Sequence, residues 1–437
     1  MNITPRRRWP VLAGCVTAAA LVLTGCSASG GGSTDAKTIS WLVDNTENTI
    51  TYAEKLAEDF TAANPGIKVE IETRPQGGDG DNIVKTKLAT GDMADLFSYN
   101  TGSLFQQINP EQNLVPLTAE SYMDNVSDSF KPVVTAGKEV YGVPVGTGSA
   151  GAVLYNKKVY EKLGLSVPKT WDQFMENSRK IKESGTAAII QSYQTTWTSQ
   201  LFVLGDFANV AAVNPTFAED YTANKVKFAT DPAAVKGFEH LEEAYKAGLF
   251  NEDFASTTYP QALEKLANGE GAQYPILSFA LPELKVSFPD QLNDIGLFPL
   301  PGDDAAKNPL TVWLPGGIYL PKSTKNVEEA KKFLAFVASK EGCASQTAAV
   351  GANGPYLVEG CDLPADVPTA VKDMLPFFED KSRNSPALEF LSPVKGPALE
   401  QITVEVGSGI RSAKDGAALY DEDVKKQAQQ LNLPGWN

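Results

Sequence analysis

Apolar residues recur along this chain in two alternating patterns, which predict strands and helices in turn. The apolar run at 38–43 and the alternation of apolar and charged residues at 67–71 each predict a strand. Between them, an apolar residue at every fourth position predicts a helix over 49–63. A second helix at 81–90 and a third strand at 95–99 follow. This β-α-β-α-β order predicts a largely parallel sheet with right-handed connections.

A second series of alternating elements fills the middle of the chain. Thr170 opens a capping pattern that predicts a helix ended by Gly185, and Asp231 is the predicted cap of another helix. Short apolar runs predict further strands at 152–156, 187–193, 295–301 and 316–321, and one more helix is predicted after Asn326. The pattern as a whole is typical of the α/β class.

The first residues of the chain show a different pattern. Three arginines at 6–8 precede an uncharged apolar stretch over 11–23, which is too short to span a bilayer because a spanning helix needs about 20 residues. The motif LTGC at 23–26 resembles the lipobox of bacterial lipoproteins, which implies cleavage before Cys26 and a diacylglycerol on its thiol. The alternatives are a plain transmembrane anchor and a buried apolar helix.

Charge narrows the classes of ligand. The formal charge of −15 becomes −18 once the three arginines at 6–8 are removed, which argues against nucleic acid and against docking on anionic lipid. Only four arginines remain beyond them, at positions 74, 179, 383 and 411. Because arginine is the preferred partner of carboxylate and phosphate, this scarcity favours a neutral ligand over an anionic one.

Two cysteines remain after processing. Cys15 leaves with the signal and Cys26 is acylated, so Cys343 and Cys361 form an even pair in an oxidising compartment, and we predict a structural disulfide. The alternative is a metal or redox pair. The spacing of this pair matches no metal motif and the chain has one histidine, so we predict neither a metal site nor a cofactor.

Four segments, read in order, resemble family 1 extracellular solute-binding proteins, the group of maltose-binding protein. They lie at 88–100, 140–174, 266–279 and 314–342, and the "LYNK…GL…P.TW..F" stretch of the second is the most specific. The resemblance implies a two-lobed, periplasmic-binding-protein-like α/β fold. Each lobe would be a mostly parallel sheet flanked by helices, the hinge would be made of crossing strands, and a carbohydrate would bind in the cleft.

The resemblance also implies partners and divisions of the chain. The partners are a carbohydrate ligand and the separate permease and ATPase chains of an ABC importer, with membrane contact only through the lipid anchor. The receptor is expected to be a monomer on the extracytoplasmic face of the bacterial cell membrane. The predicted divisions are a signal peptide at 1–25, a lipidated flexible tether at 26–36, an N-terminal lobe at 37–146 and 300–342, and a C-terminal lobe at 147–299 and 343–437.

Polar residues at strand ends are the first group of candidate ligand contacts. In an open α/β sheet, ligands bind beyond the carboxyl ends of the strands, and sugar hydroxyls both donate and accept hydrogen bonds. The alternative role for each of these residues is in a turn or a helix cap. The predicted contacts of this group are Asn45, Glu47, Arg74, Asn100 and Thr101.

Aromatic residues are the second group, because the apolar face of a pyranose packs on an aromatic ring. Trp197 lies in a polar loop and Trp313 precedes a Gly-Gly pair, and we predict that they face the sugar from the two lobes. Phe279 stands where many sugar binders of the family have tryptophan, which leaves the size of the ligand open. Trp41 and Trp171 are predicted to be core. The remaining predicted contacts are Ser149, Gln194, Gly316 and Gly317.

Motifs for enzyme chemistry are weak in this sequence. Residues 146–151 match G-x-G-x-x-G, but a strand pattern follows them where a nucleotide fingerprint needs a helix, so we interpret them as a flexible joint between lobes. His240 is predicted to be a surface or half-buried structural residue. We therefore predict a receptor and not an enzyme. The alternatives are a receptor for a peptide or polyamine and a surface-anchored glycoside hydrolase, which the plentiful carboxylates leave open.

Overall fold

The computed structural model describes residues 36–436, so Cys26 and the predicted signal peptide and tether up to residue 35 lie outside the described residues. The strands are β1 Lys37–Asp44, β2 Ile67–Arg74, β3 Leu96–Tyr99, β4 Thr135–Ala136, β5 Glu139–Val140, β6 Gly142–Val145, β7 Ser149–Asn156, β8 Ala187–Ile189, β9 Gly271–Leu277, β10 Ile295–Pro299, β11 Leu310–Trp313, β12 Gly316–Tyr319 and β13 Asn384–Pro386.

Helices cover both sheets. They are α1 Glu47–Ala63, α2 Gly77–Thr90, α3 Ser103–Gln107, α4 Pro110–Asn113, α5 Lys157–Leu163, α6 Trp171–Glu183, α7 Leu201–Leu204, α8 Phe207–Val213, α9 Phe217–Thr222, α10 Lys236–Lys246, α11 Tyr259–Asn268, α12 Ala280–Ser287, α13 Val327–Val337, α14 Lys340–Val350, α15 Thr369–Glu379, α16 Leu388–Leu391, α17 Leu399–Gly407 and α18 Ala413–Gln430. The expected helix after Asp231 begins only at Lys236, because the Asp231 carboxylate caps a preceding turn through the amides of Ala233 and Ala234.

The first sheet begins as the alternating pattern predicts. β1 pairs in parallel with β2 and with β3. The connecting helix α1 is capped by the Thr46 hydroxyl and buries Leu56 and Phe60 in the core that β1 shares. β12 then enters antiparallel between β3 and β6, which gives the order β2-β1-β3-β12-β6. The sheet is therefore mixed, because β12 arrives from a late segment of the chain rather than through a helical crossover.

The second sheet is built around β7. This strand pairs antiparallel with β9 on one side and with β10 and β11 on the other. β8 and β13 add parallel edges. The predicted two-lobed α/β class is confirmed, but both sheets are mixed rather than mostly parallel. The apolar pattern marks where a strand lies and carries no information on the direction in which it pairs.

Each sheet has its own core. Trp41, Phe97 and Phe333 are buried around the first sheet. The two faces of β7 enter different clusters in the second lobe, since Val153 packs with the helices on one face and Leu154 with those on the other. This double burial explains why β7 reads as a continuous apolar run.

The chain passes between the two sheets at three places: residues 146–148, 314–315 and 351–368. Two elements next to these connections lie in a different lobe from the one predicted for them. β11, which falls inside the segment assigned to the N-terminal lobe, pairs with the second sheet. α14, most of which was assigned to the C-terminal lobe, packs against α1, and the Ser345 hydroxyl donates to Asp59 at 2.6 Å. Where the lobes divide as moving bodies stays a prediction.

Candidate functional site

A cleft of about 560 Å³ lies between the two sheets. Its first wall is made by the carboxyl ends of β1, β2 and β3 and by α2. Its second wall is made by residues 197–204, the end of β9, the end of β11 and the start of α17. A concave site of this size between lobes is the usual place for a small-molecule ligand.

Seven of the twelve predicted contact residues line this cleft. They are Arg74, Asn100, Ser149, Trp197, Phe279, Trp313 and Gly316. This brings together residues that are far apart in sequence, but whether they touch a ligand stays a prediction.

The other five do not line the cleft. Asn45 and Glu47 are exposed, and their chain neighbours Asp44, Thr46 and Asn48 line it instead. An error of one residue at a strand end is enough to turn a side chain to the other face.

The remaining three have structural surroundings. The Thr101 hydroxyl donates to the carbonyl of Pro315 at 3.2 Å. Gln194 is exposed in its loop, and Gly317 lies so close to the Tyr319 ring that a Cβ would be 2.7 Å away.

The first wall combines a buried arginine with unpaired polar groups. Arg74, 8% exposed, donates to the carbonyls of Pro75 and Ser98 at 3.0 and 3.3 Å, while its Nε has no partner among the described residues. The hydroxyl of Tyr99, 2% exposed, is also unpaired, and burial raises its pKa. Buried polar groups are normally hydrogen-bonded, and these two lack such a partner among the described residues at the wall of the cleft.

Asp81 lies beside them on α2. Burial raises the pKa of its carboxyl above the usual range, against the opposing effect of Arg74 and Lys85.

The second wall carries an aromatic cluster. The ring centroid of Trp197 lies 5.3 Å from that of Tyr259 and 5.6 Å from that of Phe279. The indole Nε1 of Trp197 and the hydroxyl of Tyr259 are buried and lack partners within the part of the chain that the structure describes. The cluster therefore offers both an apolar face and free donors to the cleft.

The 3-10 helix Thr196–Gln200 fixes the position of Trp197. The Thr198 hydroxyl bonds to Ser192, and the Ser199 hydroxyl bonds to the Glu400 carbonyl and to Thr403 on α17. These buried bonds on both sides of Trp197 hold its backbone against the second lobe.

Trp313 has different surroundings. It is 7% exposed, its indole N–H donates to the Glu389 carboxylate, and Glu389 also pairs with Lys395 at 3.3 Å. Its ring lies against Gly151, where a Cβ would be 2.5 Å from Cζ3. The prediction that Trp197 and Trp313 face the sugar from the two lobes is wrong about the lobe of Trp313, because β11 pairs with β7 and β13 of the second sheet. Whether either ring contacts a sugar stays a prediction.

Two carboxylates of the second lobe reach helices of the first. Glu283 on α12 accepts a hydrogen bond from the Asn48 amide at 3.2 Å, in the first turn of α1. Glu400 on α17 lies beside the first turn of α2, where a Cβ on Gly78 would be 3.4 Å from Oε1. Burial raises the pKa of both carboxyls.

The sequence analysis did not predict Asp81, Glu283 and Glu400 as lining residues. Acidic side chains on helices are usually caps or lie on the solvent-exposed face, and these three have the same sequence pattern. A partial signal was available for Glu400, since it opens a helix that is otherwise apolar on its buried side.

The glycine-rich connection at 146–151 enters β7, as the sequence predicted, and the nucleotide interpretation fails. Gly146 has φ of +92°, and its amide donates to Gln346 at 2.7 Å. Gly148 donates to the carbonyl of Pro355 at 2.7 Å. A backbone with a positive φ and few side chains suits a segment that links two lobes.

His240 is buried, which differs from the predicted surface or half-buried position. It stacks on Trp171 with ring centroids 3.9 Å apart, and burial lowers its pKa to about 3. Trp171, on which it stacks, is buried in the core as predicted.

Cys343 and Cys361 are joined by the predicted disulfide. Over residues 36–436, no cluster of three or more histidine, cysteine or acidic side chains has the arrangement of a metal site. None of the helices described in that range is both long and apolar enough to cross a bilayer.

Comparison with known proteins identifies a family. The family profile of the bacterial extracellular solute-binding proteins matches residues 44–342. The multiple sugar-binding protein of Streptococcus mutans is 26% identical over 339 residues, which is 75% of this chain and 77% of that protein. The melibiose/raffinose/stachyose-binding protein of Bacillus subtilis is 22% identical over 364 residues, covering 81% of this chain and 80% of that one.

Solved structures share the fold. A chitin oligosaccharide binding protein superposes with a TM-score of 0.77 at 19% identity and covers 90% of this chain and all of its own. The solute-binding protein RafE in complex with raffinose has a TM-score of 0.75 at 20% identity, over 90% of this chain and 99% of that chain.

Proposed function

The chain belongs to the bacterial extracellular solute-binding proteins, and from this premise we propose that it binds an oligosaccharide between its lobes for an ABC importer. The observation that carries the proposal is the composition of the cleft. It joins the Trp197–Phe279–Tyr259 cluster to buried polar groups without partners, and a sugar presents the matching apolar face and hydroxyls. The melibiose/raffinose/stachyose-binding relative and the raffinose complex of RafE have oligosaccharides as ligands, which supports the same class.

The proposed mechanism is closure of the lobes on the sugar. We propose that the bending segments are 146–148, 314–315 and the part of 351–368 that follows Cys361, because residues 357–361 are bonded to the first lobe. A ligand favours the closed state only through contacts that it gains there, and here Asp81 of the first lobe and Trp197 of the second supply groups to the same cleft. The closed receptor then docks on the permease and releases the sugar without chemical change.

A thermal-shift panel tests this function. The probes are raffinose, stachyose, N,N′-diacetylchitobiose, galactose and, for a different class, spermidine and a tripeptide. A probe at 100 times its Kd stabilises the protein by about 2.7 kcal/mol, which raises the melting temperature measurably. We expect one of the sugars to do so. Stabilisation by spermidine or the tripeptide alone would contradict the proposal.

Chromatography of the incubated sugar distinguishes a receptor from a glycoside hydrolase. We expect the sugar that binds to be recovered intact after prolonged incubation with an equimolar amount of protein. Release of shorter products would make the protein an enzyme.

We also propose that Cys26 carries a lipid and that residues 26–36 tether the receptor to the outer face of the cell membrane. The leader with arginines at 6–8 and the motif LTGC support this. Intact mass of the protein extracted from membranes should show a diacylglyceryl group on Cys26, and Cys26→Ala should appear in the soluble fraction or remain unprocessed. A mature N-terminus elsewhere would exclude the anchor.

A further inference from the structure

The charged residues that line the cleft differ in sign and in the protein groups to which they are bonded. Among its lining residues are three cations, Arg74, Lys85 and Lys395. All three are occupied by protein acceptors: Arg74 by two backbone carbonyls, Lys85 by Gln107 at 3.0 Å, and Lys395 by Glu389 at 3.3 Å. Only Lys395 is paired with a carboxylate, but the five acids that line the cleft outnumber these three cations, so the lining carries a net negative charge that disfavours an anionic ligand.

The acids of the cleft fall into two groups. Asp44 accepts hydrogen bonds from Thr46 and Thr49, Glu389 from Trp313, and Glu283 from Asn48. Asp81 and Glu400 also line the cleft, yet within the described residues neither forms an ion pair. Asp81 accepts no hydrogen bond among the described residues and Glu400 accepts one from Thr196, so both carboxylates keep acceptor positions for a ligand.

Asp81 and Glu400 come from opposite lobes. Asp81 is on α2 of the first lobe and Glu400 on α17 of the second, and Glu400 approaches the first turn of α2 at Gly78. Each of the two carboxyls has charged or polar neighbours from both lobes. Arg74, Lys85, Lys395 and Glu389 face Asp81, while Lys395, Thr196, Asp81 and Asp79 face Glu400.

Burial raises the pKa of both carboxyls, so the nearby cations do not fully compensate the loss of water.

A second observation points to a ligand at this place. Tyr99 is 2% exposed and lines the cleft with an unpaired hydroxyl, and the charge of Asp81 raises its pKa beyond the effect of burial. Arg74, on the other side of Asp81, has an unpaired Nε. Arg74 and Tyr99 both line the cleft, and the charges of Arg74 and Asp81 both act on Tyr99.

We propose that Asp81 and Glu400 make the cleft selective by ligand charge: together they accept hydrogen bonds from a neutral or amino-bearing sugar and exclude sugars that carry a carboxylate or phosphate. This rests on the proposed function and narrows its substrate class. Hydroxyl or ammonium donors replace the water that the two carboxylates lose, whereas an anion adds a third negative charge to a partly buried site. Selection by repulsion is a common source of specificity.

Matched sugars test the proposal by calorimetric titration. The pairs are galactose with galacturonate, and N,N′-diacetylchitobiose with its doubly deacetylated diamine; raffinose is the additional neutral probe. For the wild type we expect galacturonate to bind at least about tenfold more weakly than the neutral sugars, which corresponds to about 1.4 kcal/mol. The diamine should bind at least as tightly as the acetylated dimer.

Charge-neutral variants assign the effect to the two residues. In Asp81→Asn and Glu400→Gln the discrimination against galacturonate should shrink, and it should be lost in the double variant. Asp92→Asn is the matched control, because Asp92 follows the same helix, is exposed, does not line the cleft and is not among the groups that face Asp81 or Glu400. It should keep the wild-type ratio. Circular dichroism checks that each variant is folded.

The outcomes separate the two proposals. If the neutral sugars bind but galacturonate binds equally well, or if the double variant keeps the wild-type ratio, charge selection by Asp81 and Glu400 is overturned and the sugar receptor stands. If spermidine binds and no sugar does, the proposed function fails, and the sugar selectivity fails with it.

Discussion

Trp197 and Trp313 both line the cleft and both belong to the second lobe, yet their indole nitrogens have opposite surroundings. The N–H of Trp313 is bonded to Glu389, and its ring is packed on Gly151. The N–H of Trp197 is buried without a partner among residues 36–436, and its ring is half-buried beside Phe279. The first environment is complete without a ligand and the second is not. A tryptophan that lines the cleft can therefore support the fold or be a candidate ligand contact. Whether its indole N–H is already bonded to the protein distinguishes the two roles.

The largest effect is expected from Trp313→Ala. Removing this ring leaves a cavity and deprives Glu389 of a donor, so we expect a loss of about 3–5 kcal/mol in the free energy of unfolding. Urea denaturation without sugar measures it. This differs from the expectation for a ligand platform, where the fold survives. An unchanged urea midpoint would show that Trp313, like Trp197, is not needed for stability, and the proposed difference between the two residues would be wrong.

Trp197→Ala is expected to act on binding instead. Loss of the ring removes about 1.5–3 kcal/mol of apolar contact, a 10- to 150-fold weaker Kd for the neutral sugar that binds in the panel. Its urea midpoint should fall much less than that of Trp313→Ala. Val213→Ala, at an exposed position, is the control for both measurements. Equal affinity in Trp197→Ala and wild type would remove the aromatic cluster from the site.

Gly151→Ala sharpens the assignment of Trp313 without touching the tryptophan. The added Cβ would lie 2.5 Å from its ring, and overpacking of this kind costs about 1–3 kcal/mol in the free energy of unfolding. Gly66→Ala is the matched control, since a Cβ there meets nothing within 4 Å. If both alanine variants unfold at the same urea concentration, the tight packing around Trp313 does not contribute to stability.

The smallest effects come from replacing each tryptophan by phenylalanine, which keeps a ring and removes the N–H. Trp313→Phe should lose stability, because the half-buried Glu389 carboxylate loses a hydrogen bond. Trp197→Phe should keep its stability and bind the neutral sugar about 2- to 10-fold more weakly, as expected for one neutral hydrogen bond. The reverse result, with Trp197→Phe less stable and unchanged in affinity, would exchange the roles of the two residues.

The sequence was sufficient for the α/β class, for the core positions of Trp41 and Trp171 and for the disulfide, because each depends on a local pattern or on counting. It was insufficient for the direction of β11 and for the lobe that carries Trp313. Those depend on pairing between strands that are more than 150 residues apart.

The same limit applies within the cleft. Asp44 and Asn48 line it while Asn45 and Glu47 do not, a difference of one position that no periodicity resolves. Asp81 and Glu400 line the same cleft only because two helices from different lobes converge there. Their sequence neighbourhoods are those of ordinary helix surfaces.

The unpaired indole nitrogen of Trp197 also has a consequence for spectroscopy. Four of the five tryptophans in residues 36–436 donate to protein acceptors: Trp41 to Ser98, Trp171 to Glu243, Trp313 to Glu389 and Trp436 to the carbonyl of Thr222. Trp197 is the remaining one, and it faces the cleft. We expect its emission wavelength to change when a ligand occupies the cleft, whereas the indole nitrogens of the other four are already bonded to protein acceptors. The protein thus contains its own fluorescent reporter, and Trp197→Phe provides the matched blank.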